Sequence, residues 1–431
     1  MVSQIAFVVL LVAALGFAAY NARKIIGNIR LGRALQRSDR PAERLKTMLL
    51  VAFGQKKMFK RPFAAILHLF VYVGFVIINV ELLEIVIDGV FGTHRIFAGM
   101  GALYGFLIAS FEWLALLVIV GCVIFLARRN VVRLGRFSGP EMKKWPTTDA
   151  NLILCAEILL MAAFLTMNAA DFKLQGLGAA GYTAAGVFPV SQFLVPILPD
   201  AVDSLIFIER FCWWFHIVGI LAFLNYLVVS KHLHIMLAFP NTYFSKLEPK
   251  GQFTNMDSVT NEVKAMLDPS YTPTAMDTPA RFGAKDIQDL TWKNLMDAYS
   301  CTECGRCTAV CPANITGKLL SPRKIMMDTR DRMEEVGHQI RTNKEYKDDG
   351  KSLLDNYITR EELWACTTCN ACVEACPVTI DPLDIIMELR RFAVMEESQA
   401  PASINAMFGN IENNGAPWKY AQADRANWRE Q

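Results

Sequence analysis

Two cysteine runs with the same spacing carry the strongest chemical signal in the sequence. Each follows the pattern C-x2-C-x2-C-x3-C-P, and the runs end at Pro312 and Pro377. In such a run three closely spaced thiolates bind one [4Fe–4S] cluster, and the cysteine before the proline binds the other cluster. We therefore predict two [4Fe–4S] clusters. The predicted ligand sets are Cys301, Cys304, Cys307 and Cys376 for one cluster, and Cys366, Cys369, Cys372 and Cys311 for the other.

Zinc is the alternative metal for clustered cysteines. Zinc ribbons use pairs of C-x2-C arms, whereas each run here has three close cysteines and a Cys-Pro pair, so the spacing favours iron–sulfur clusters. Clusters also suit a reducing compartment better than disulfides do. The three other cysteines, Cys122, Cys155 and Cys212, lie in apolar segments and are expected to be small core residues.

The residues between the two runs predict a helical domain. Ser321-Pro322-Arg323 begins a segment with apolar residues at helical spacing and a proline near its start. Together with the cysteine runs, this segment resembles the α-helical ferredoxin domains of heterodisulfide reductase, of the glycerol-3-phosphate dehydrogenase iron–sulfur subunit and of succinate dehydrogenase. The predicted ferredoxin domain covers residues 298–395.

Five apolar segments are each close to the length needed to cross a membrane. They are residues 5–20, 63–87, 102–127, 152–169 and 205–229. Basic residues concentrate in the first and third connections, so the positive-inside rule places these loops in the cytoplasm and the amino terminus outside. The chain after the fifth span is then cytoplasmic. A cleaved signal peptide at the first segment, and a nucleic-acid patch in the first basic loop, are the less favoured alternatives.

Histidines supply a second set of potential metal ligands. His216 and His234 are five helical turns apart, so a continuous fifth helix would put them on one face and His232 about 160° away, toward solvent or headgroups. His68, near the cytoplasmic end of the second span, is expected at the depth of His234. Two neutral imidazoles on different helices can bind both axial positions of one b-type haem. The alternative for a lone histidine is capping of a helix end.

Residues 1–240 resemble the haem-binding subunit of respiratory nitrate reductase and its relatives in heterodisulfide reductases. The resemblance rests on residues 65–70, 215–219 and 230–235, which contain His68, His216 and His234. It implies a second, outer haem, but Ile78 occupies the position of that haem's usual second-span ligand. His94, in the loop after the second span, is the substitute partner considered for His216.

Several polar residues within the spans are candidates for quinone chemistry. Asn79, Glu81, Glu84 and Glu112 lie toward the predicted outer half, and Glu157 lies nearer the cytoplasmic end of the fourth span. Such groups can bond quinone carbonyls and transfer protons. Hydrogen bonding between helices explains each of them, taken singly, equally well.

The remaining segments are a linker, residues 241–297, and a polar tail, residues 396–431. In the heterodisulfide reductase family the ferredoxin is followed by or associated with cysteine-rich CCG domains, but no cysteine follows Cys376. The tail carries Trp418 and Trp428, and aromatic residues are common anchors of protein interfaces. We therefore expect the tail to bind a cytoplasmic CCG-domain protein, or an electron-transfer flavoprotein.

The sequence as a whole predicts a mostly α-helical protein: a five-helix transmembrane cytochrome b-type bundle followed by a cytoplasmic ferredoxin domain. Its expected role is electron transfer between a cytoplasmic partner and menaquinone or ubiquinone in a bacterial inner membrane, through two [4Fe–4S] clusters and haem b. The alternative is a membrane-anchored redox-sensing or assembly protein without quinone chemistry. No nucleic-acid partner is expected.

Overall fold

The computed structural model describes residues 1–272 and 281–430, and these residues are predominantly helical. Their only β pairings are two isolated bridges. The chain divides into two compact units. The first unit comprises Met1–Gly27, Arg40–Phe244 and Tyr299–Gly305, and the second comprises Asn28–Asp39, Ser245–Ala298 and Arg306–Gln431.

This division differs from the predicted domains in two places. Asn28–Asp39 belongs to the second unit, although it lies within the predicted membrane domain, residues 1–240. Tyr299–Gly305 belongs to the first unit, although it carries two predicted cluster ligands, Cys301 and Cys304. Contacts between residues far apart in sequence decide both assignments, and composition along the chain does not reveal such contacts.

Five helices are long and apolar enough to cross a membrane. They are α1 (Val2–Ile29), α3 (Pro62–Phe91), α4 (Ala102–Asn130), α5 (Trp145–Gly176) and α6 (Val202–Leu227), with the shorter α2 (Pro41–Met48) between the first two. Each contains most or all of a predicted span. Each helix extends beyond the apolar segment at one or both ends, because the end turns continue the same backbone hydrogen bonding, and only α6 also ends before its predicted segment does.

Small residues allow these helices to approach closely. A Cβ atom on Gly74 of α3 would lie 2.6 Å from Val118 of α4, and one on Gly219 of α6 would lie 2.6 Å from Leu160 of α5. A Cβ atom on Gly89 of α3 would likewise lie 2.6 Å from the ring of Phe7 on α1. Close contact at small residues is the usual way in which membrane helices associate.

The apolar core of the first unit lies between these helices. It includes Phe7, Ile108, Phe164 and Ile217, all with no exposed surface. Cys122 and Cys212 are buried in the same core, as expected. Cys155 is exposed on the surface of α5, so it is not a core residue.

The chain changes direction after α6. This helix ends at Leu227, a 3₁₀ turn follows at Lys231–Leu233, and α7 (His234–Tyr243) begins with His234 itself. Ser230 stops the helix locally, because its side chain accepts a hydrogen bond from the backbone N–H of His232. The expectation that His216 and His234 lie on one face of one continuous helix is therefore wrong.

The second unit is built mainly from short helices around the cysteine runs. They are α8 (Asp257–Leu267), α9 (Trp292–Ser300), α10 (Pro312–Ile315), α11 (Pro322–Asn343), α12 (Arg360–Ala365), α13 (Ala371–Ala375), α14 (Pro382–Met395) and α15 (Ala402–Asn414). The predicted linker, residues 241–297, thus contains α8 and the start of α9. It also contains residues 273–280, which the structure does not describe. The predicted helix at Ser321 is confirmed, because the Ser321 side chain caps α11 by accepting from Lys324 N.

A fully buried arginine holds the long helix α11 in place. Arg332 has no exposed side-chain surface, and its guanidinium donates to both carboxylate oxygens of Asp286 and of Asp349. It also donates to the Lys351 carbonyl. A buried charge is tolerated when it is paired and fully hydrogen-bonded in this way. The arginine therefore joins α11 to the segments that precede and follow it.

Candidate functional site

Four of the predicted cluster ligands lie close together in the second unit. Burial raises the pKa of the Cys366 thiol, and the nearby Cys311 and Cys369 raise it further. Burial, followed by the charges of Asp381, Cys366 and Cys311, raises the pKa of Cys372 to about 12. Cys311, which comes from the other run, is therefore near Cys366 and Cys372. The predicted ligand set for the second cluster requires this proximity.

The backbone around these cysteines also suits sulfur ligands. The N–H of Thr368 donates to the Cys366 sulfur at 3.4 Å, and the N–H of Ile380 donates to the Cys376 sulfur at 3.3 Å. Hydrogen bonds to ligand sulfurs help to set the potential of a cluster. Among the described residues, no three histidine, cysteine or acidic side chains converge as ligands of a single ion.

The structure brings His68 and His234 together. The centres of their imidazole rings are 6.5 Å apart, with the ring planes at 46°. A metal–imidazole bond is about 2 Å long, so two imidazoles on opposite sides of one metal ion have ring centres roughly 6 Å apart. The observed separation is therefore compatible with both imidazoles binding one metal ion.

Both rings are also held in the way that metal-binding histidines usually are. His68 Nδ1 lies 3.0 Å from Gln55 Oε1, and His234 Nδ1 lies 3.0 Å from the Lys231 carbonyl oxygen. Because each partner accepts a hydrogen bond, each Nδ1 carries the proton, and Nε2 carries the lone pair that can bind a metal. Burial lowers the pKa of His234, so its ring is neutral.

His232 is not at the surface as expected. Its ring lies 5.5 Å from that of His234 and 5.4 Å from that of Phe223. Burial, together with the charges of His234 and His68, lowers the pKa of His232 to about 3. The expectation failed because the 3₁₀ turn replaces the helix on which it was based.

His216 and His94 have separate surroundings. His216 is buried, with Nδ1 at 2.9 Å from the Leu160 carbonyl oxygen and its ring against Phe164. His94 instead packs on Tyr182, with Nε2 at 3.9 Å from Asp171. No ring contact between these two described histidines occurs. The structure thus gives each histidine its own neighbours, and a second haem held by His216 and His94 stays a prediction.

A polar cleft lies at the other end of α3 from His68, and we call it the Arg95 cleft. Its lining residues come from α3, α5, α6 and the loop after α3: Glu81, Glu84, Ile85, Asp88, Thr93, His94, Arg95, Met167, Asp171, Glu209, Arg210 and Trp213. Glu81 follows His68 by 13 residues, which corresponds to about 20 Å along a helix. The cleft and the histidine pair are thus at opposite ends of the bundle.

Arg95 organises the hydrogen bonds of the cleft. Its guanidinium pairs with Asp171, donates to Tyr104 Oη at 3.0 Å and donates to Asn168 Oδ1 at 2.9 Å. Tyr104 in turn donates to Glu84 at 2.9 Å. Sequence reasoning missed Asp171 and Glu209 as members of this group. For Glu209 the available signal was its place within the predicted span 205–229, where an unpaired charge is costly; Asp171 lies two residues beyond the predicted span 152–169.

The candidate quinone residues differ in how well their polar atoms are satisfied. Glu84 accepts from Phe97 N and Tyr104, and Glu112 accepts from Val190 N, Ser191 N and Asn168. Asn79 is exposed and bonds to its own helix, and Glu157 lies away from the cleft, near Cys122. Glu81 is different: it is only 3% exposed, and its Oε2 atom has no hydrogen-bond partner among the residues that the structure describes.

A buried ion pair joins the segment between Cys301 and Cys304 to the turn that carries the histidines. Lys231 Nζ lies 2.5 Å from Glu303 Oε2 and 2.5 Å from the Pro146 carbonyl oxygen. The backbone carbonyl of the same lysine orients His234. All these residues belong to the first unit.

Comparison with known proteins agrees with the cysteine motifs. A family profile described as a 4Fe-4S dicluster domain matches residues 300–380, which contain all eight predicted ligands. A probable iron-sulfur-binding oxidoreductase FadF of Bacillus subtilis is 27% identical over 99% of this chain and 60% of its own length. The EtfAB:quinone oxidoreductase of Syntrophomonas wolfei is 26% identical over 91% of this chain and 55% of its own length.

Heterodisulfide reductases resemble a shorter part of the chain. One component of the ferredoxin/F420H2-dependent CoB-CoM heterodisulfide reductase of Methanosarcina acetivorans is 37% identical over 25% of this chain and 52% of its own length. No solved structure matches. The chain spans only about three fifths of the length of the first two relatives. It is a helical membrane protein with a 4Fe-4S dicluster domain, homologous to iron–sulfur oxidoreductases and to an iron–sulfur component of heterodisulfide reductases.

Proposed function

We propose that this protein transfers electrons between a soluble redox partner and membrane quinone, using two [4Fe–4S] clusters and one b-type haem. The observation that carries the proposal is the pairing of His68 with His234 at 6.5 Å, in a chain that also contains a dicluster domain. A simple membrane anchor for a ferredoxin has no use for a pair of oriented, half-buried imidazoles. This argues against the alternative role in sensing or assembly.

The residues that would hold each cofactor follow from the site. His68 and His234 would bind the haem iron, and Gln55 and the Lys231 carbonyl would fix the two rings. The cysteines would hold the clusters in the two sets predicted from the sequence. Haem iron, when bound, supplies one-electron transfer inside the membrane, which a quinone reaction requires because quinones exchange electrons one at a time with iron centres.

The relatives support quinone as the membrane substrate. One of them carries the name EtfAB:quinone oxidoreductase, and its similarity extends over 91% of this chain. By analogy the soluble partner is an electron-transfer flavoprotein, or a CCG-domain protein of the heterodisulfide reductase type. Electrons flow toward quinone if this partner is an electron donor, and away from quinone if it is an acceptor.

Spectroscopy of membranes that contain the full-length protein tests the proposal. Adding decylubiquinol or menadiol should produce a reduced b-type α-band, and dithionite should then reduce the clusters. Acid-labile sulfide of about eight per chain checks the two cubanes. A protein that contains the clusters but shows no quinol-reducible b-type band would instead support the sensing or assembly role.

A further inference from the structure

The two cysteine runs share a backbone conformation but differ in one buried side chain. In the first run Glu303 and Gly305 have left-handed φ angles of 55° and 67°. In the second run Thr368 and Asn370 have φ angles of 56° and 59°. These positions are equivalent, because they follow the first cysteine of each run by two and four residues. A threonine thus serves the second loop in the same conformation, so the loop itself does not require the glutamate of the first.

The Glu303 side chain instead reaches the turn that precedes His234. Its carboxylate is 3% exposed and accepts from Lys231 Nζ at 2.5 Å. Thr368, at the same place in the second run, donates to the carbonyl of the neighbouring Thr367. Lys231 is 10% exposed, and its carbonyl oxygen lies 3.0 Å from His234 Nδ1. One lysine therefore contacts the first cysteine run with its side chain and a proposed haem ligand with its backbone.

Further hydrogen bonds fix Lys231 in this place. Its Nζ atom also donates to the Pro146 carbonyl at 2.5 Å, and its backbone N–H donates to Asp149 Oδ2 at 3.1 Å. Asp149 in turn accepts from Tyr226 Oη of α6 at 2.5 Å. Networks of satisfied hydrogen bonds in a protein interior make their members rigid. Lys231 therefore has little freedom to move relative to Glu303 or to its own turn.

We propose that Lys231 and Glu303 are positioning residues for electron transfer between a cluster and the haem. They hold the loop Cys301–Cys304 against the turn of His234, so the cluster bound by this loop is the one that exchanges electrons with the haem. The inference rests on the proposed function and adds which cluster adjoins the haem. One electron passes at a time: the cluster loses it as the haem iron changes from ferric to ferrous, and the reverse step returns it.

The second run contains a lysine–glutamate pair of a different kind. Lys250 pairs with Glu374, which lies between Cys372 and Cys376, but these side chains are 66% and 37% exposed. An exposed pair contributes little to position, because water competes for both charges. Lys250 also belongs to the second unit, whereas the paired histidines belong to the first. This pair supplies a matched control for Lys231 and Glu303.

The variant Glu303→Thr tests the proposal, because it gives the first run the residue that the second run already has. The full-length protein in membranes is mixed with dithionite, and cluster bleaching and the haem α-band are followed separately. The rate of direct haem reduction, measured in Cys301→Ala, is subtracted. We expect cluster-dependent haem reduction to slow by about 10–100-fold, the usual cost of losing a residue that orients a metal ligand. Cluster bleaching, sulfide and haem content should not change, and Glu374→Thr should react at the wild-type rate.

The haem midpoint potential provides a readout that a purely structural role would not change. Removing the Glu303 charge leaves the Lys231 ammonium less compensated, which favours ferrous iron and raises the potential. A weaker hydrogen bond at His234 Nδ1 makes this imidazole a poorer ligand of ferric iron, and it acts in the same direction. A higher haem potential alone would speed reduction by the cluster. Slower transfer in Glu303→Thr therefore reports lost positioning.

The outcomes separate this inference from the proposed function. Cluster-dependent haem reduction at the wild-type rate in Glu303→Thr overturns the positioning role and leaves the proposed function intact. Wild-type haem that is reduced no faster than that of Cys301→Ala overturns the proposed function, and this inference with it. If Glu303→Thr does not assemble because Lys231 is left unpaired, the double variant with Lys231→Met and Glu303→Thr decides by the same rate, since it removes both charges.

Discussion

At the scale of single residues, the pair formed by His68 and His234 depends on two hydrogen-bond acceptors from elsewhere in the chain. Gln55 is buried and adopts a left-handed backbone conformation, with φ of 51°. The other acceptor is a backbone carbonyl, that of Lys231. Partners of this kind fix the tautomer and orientation of a metal-binding imidazole. The two hydrogen bonds thus fix the orientation of both rings, as the proposed haem ligation would require.

Substitution of single histidines distinguishes the proposed haem ligands, His68 and His234, from the neighbouring His232. We expect His68→Ala or His234→Ala to abolish the b-type haem signal, because each would remove one of the two proposed haem ligands. His232→Ala should retain the signal, because the proposed ligands are the other two histidines. The measurement is the haem-to-protein ratio with a reduced-minus-oxidised spectrum. Loss of haem in His232→Ala and its retention in His234→Ala would show that the neighbouring ring is the ligand.

At the scale of elements, the break between α6 and α7 determines which residues meet. Because the helix ends at Leu227, Lys231 can place its side chain against Glu303 and its carbonyl against His234. The same break turns His232 toward His234. One local change in the backbone therefore explains both differences from the expected arrangement of the histidines.

Helix α11 of the second unit offers a test of a buried charge at this scale. Arg332→Ala leaves Asp286 and Asp349 without their shared cation, so it should destabilise the protein by about 3–5 kcal/mol. Arg330→Ala, on the same helix and paired with the exposed Asp331, should cost less than about 1 kcal/mol. Denaturant-induced loss of cluster absorbance in the full-length protein measures both. Equal midpoints for the two variants would contradict the structural role of Arg332.

At the scale of the whole molecule, the carboxyl-terminal tail, residues 396–431, has few buried residues. None of the residues of α15 is buried. Trp418 and Trp428 are 60% and 75% exposed. Exposed aromatic side chains on a polar segment are suited to anchoring a partner. The structure therefore agrees with a tail that has no core, and its role in binding a redox partner remains a prediction.

Deletion of residues 400–431 tests this role. The soluble redox protein that copurifies with the full-length chain should be lost from the membrane fraction. Cluster and haem spectra should not change, because the predicted ligands all lie before the deletion. Replacing only Trp418 and Trp428 with Ala should weaken the association in the same direction. Retention of the partner by the truncated protein would place the interface elsewhere.

The sequence by itself determined the features that depend on neighbouring residues. A cluster-binding run is recognisable because its ligands are a few residues apart, and a membrane span is recognisable because its length and apolarity are local properties. The two cysteine runs, the five spans and the start of α11 at Ser321 were predictable for this reason.

Only the tertiary structure decided how distant polar groups are satisfied. Gln55 beside His68, Glu303 beside Lys231, and Arg95 among the carboxylates of three helices are contacts between residues far apart in sequence. Glu81, Glu84 and Glu112 look alike in the sequence, since each is an acid in an apolar span. They differ in the number of hydrogen-bond donors that the folded chain brings to each, and that number depends on helix packing and loop conformation rather than on local sequence.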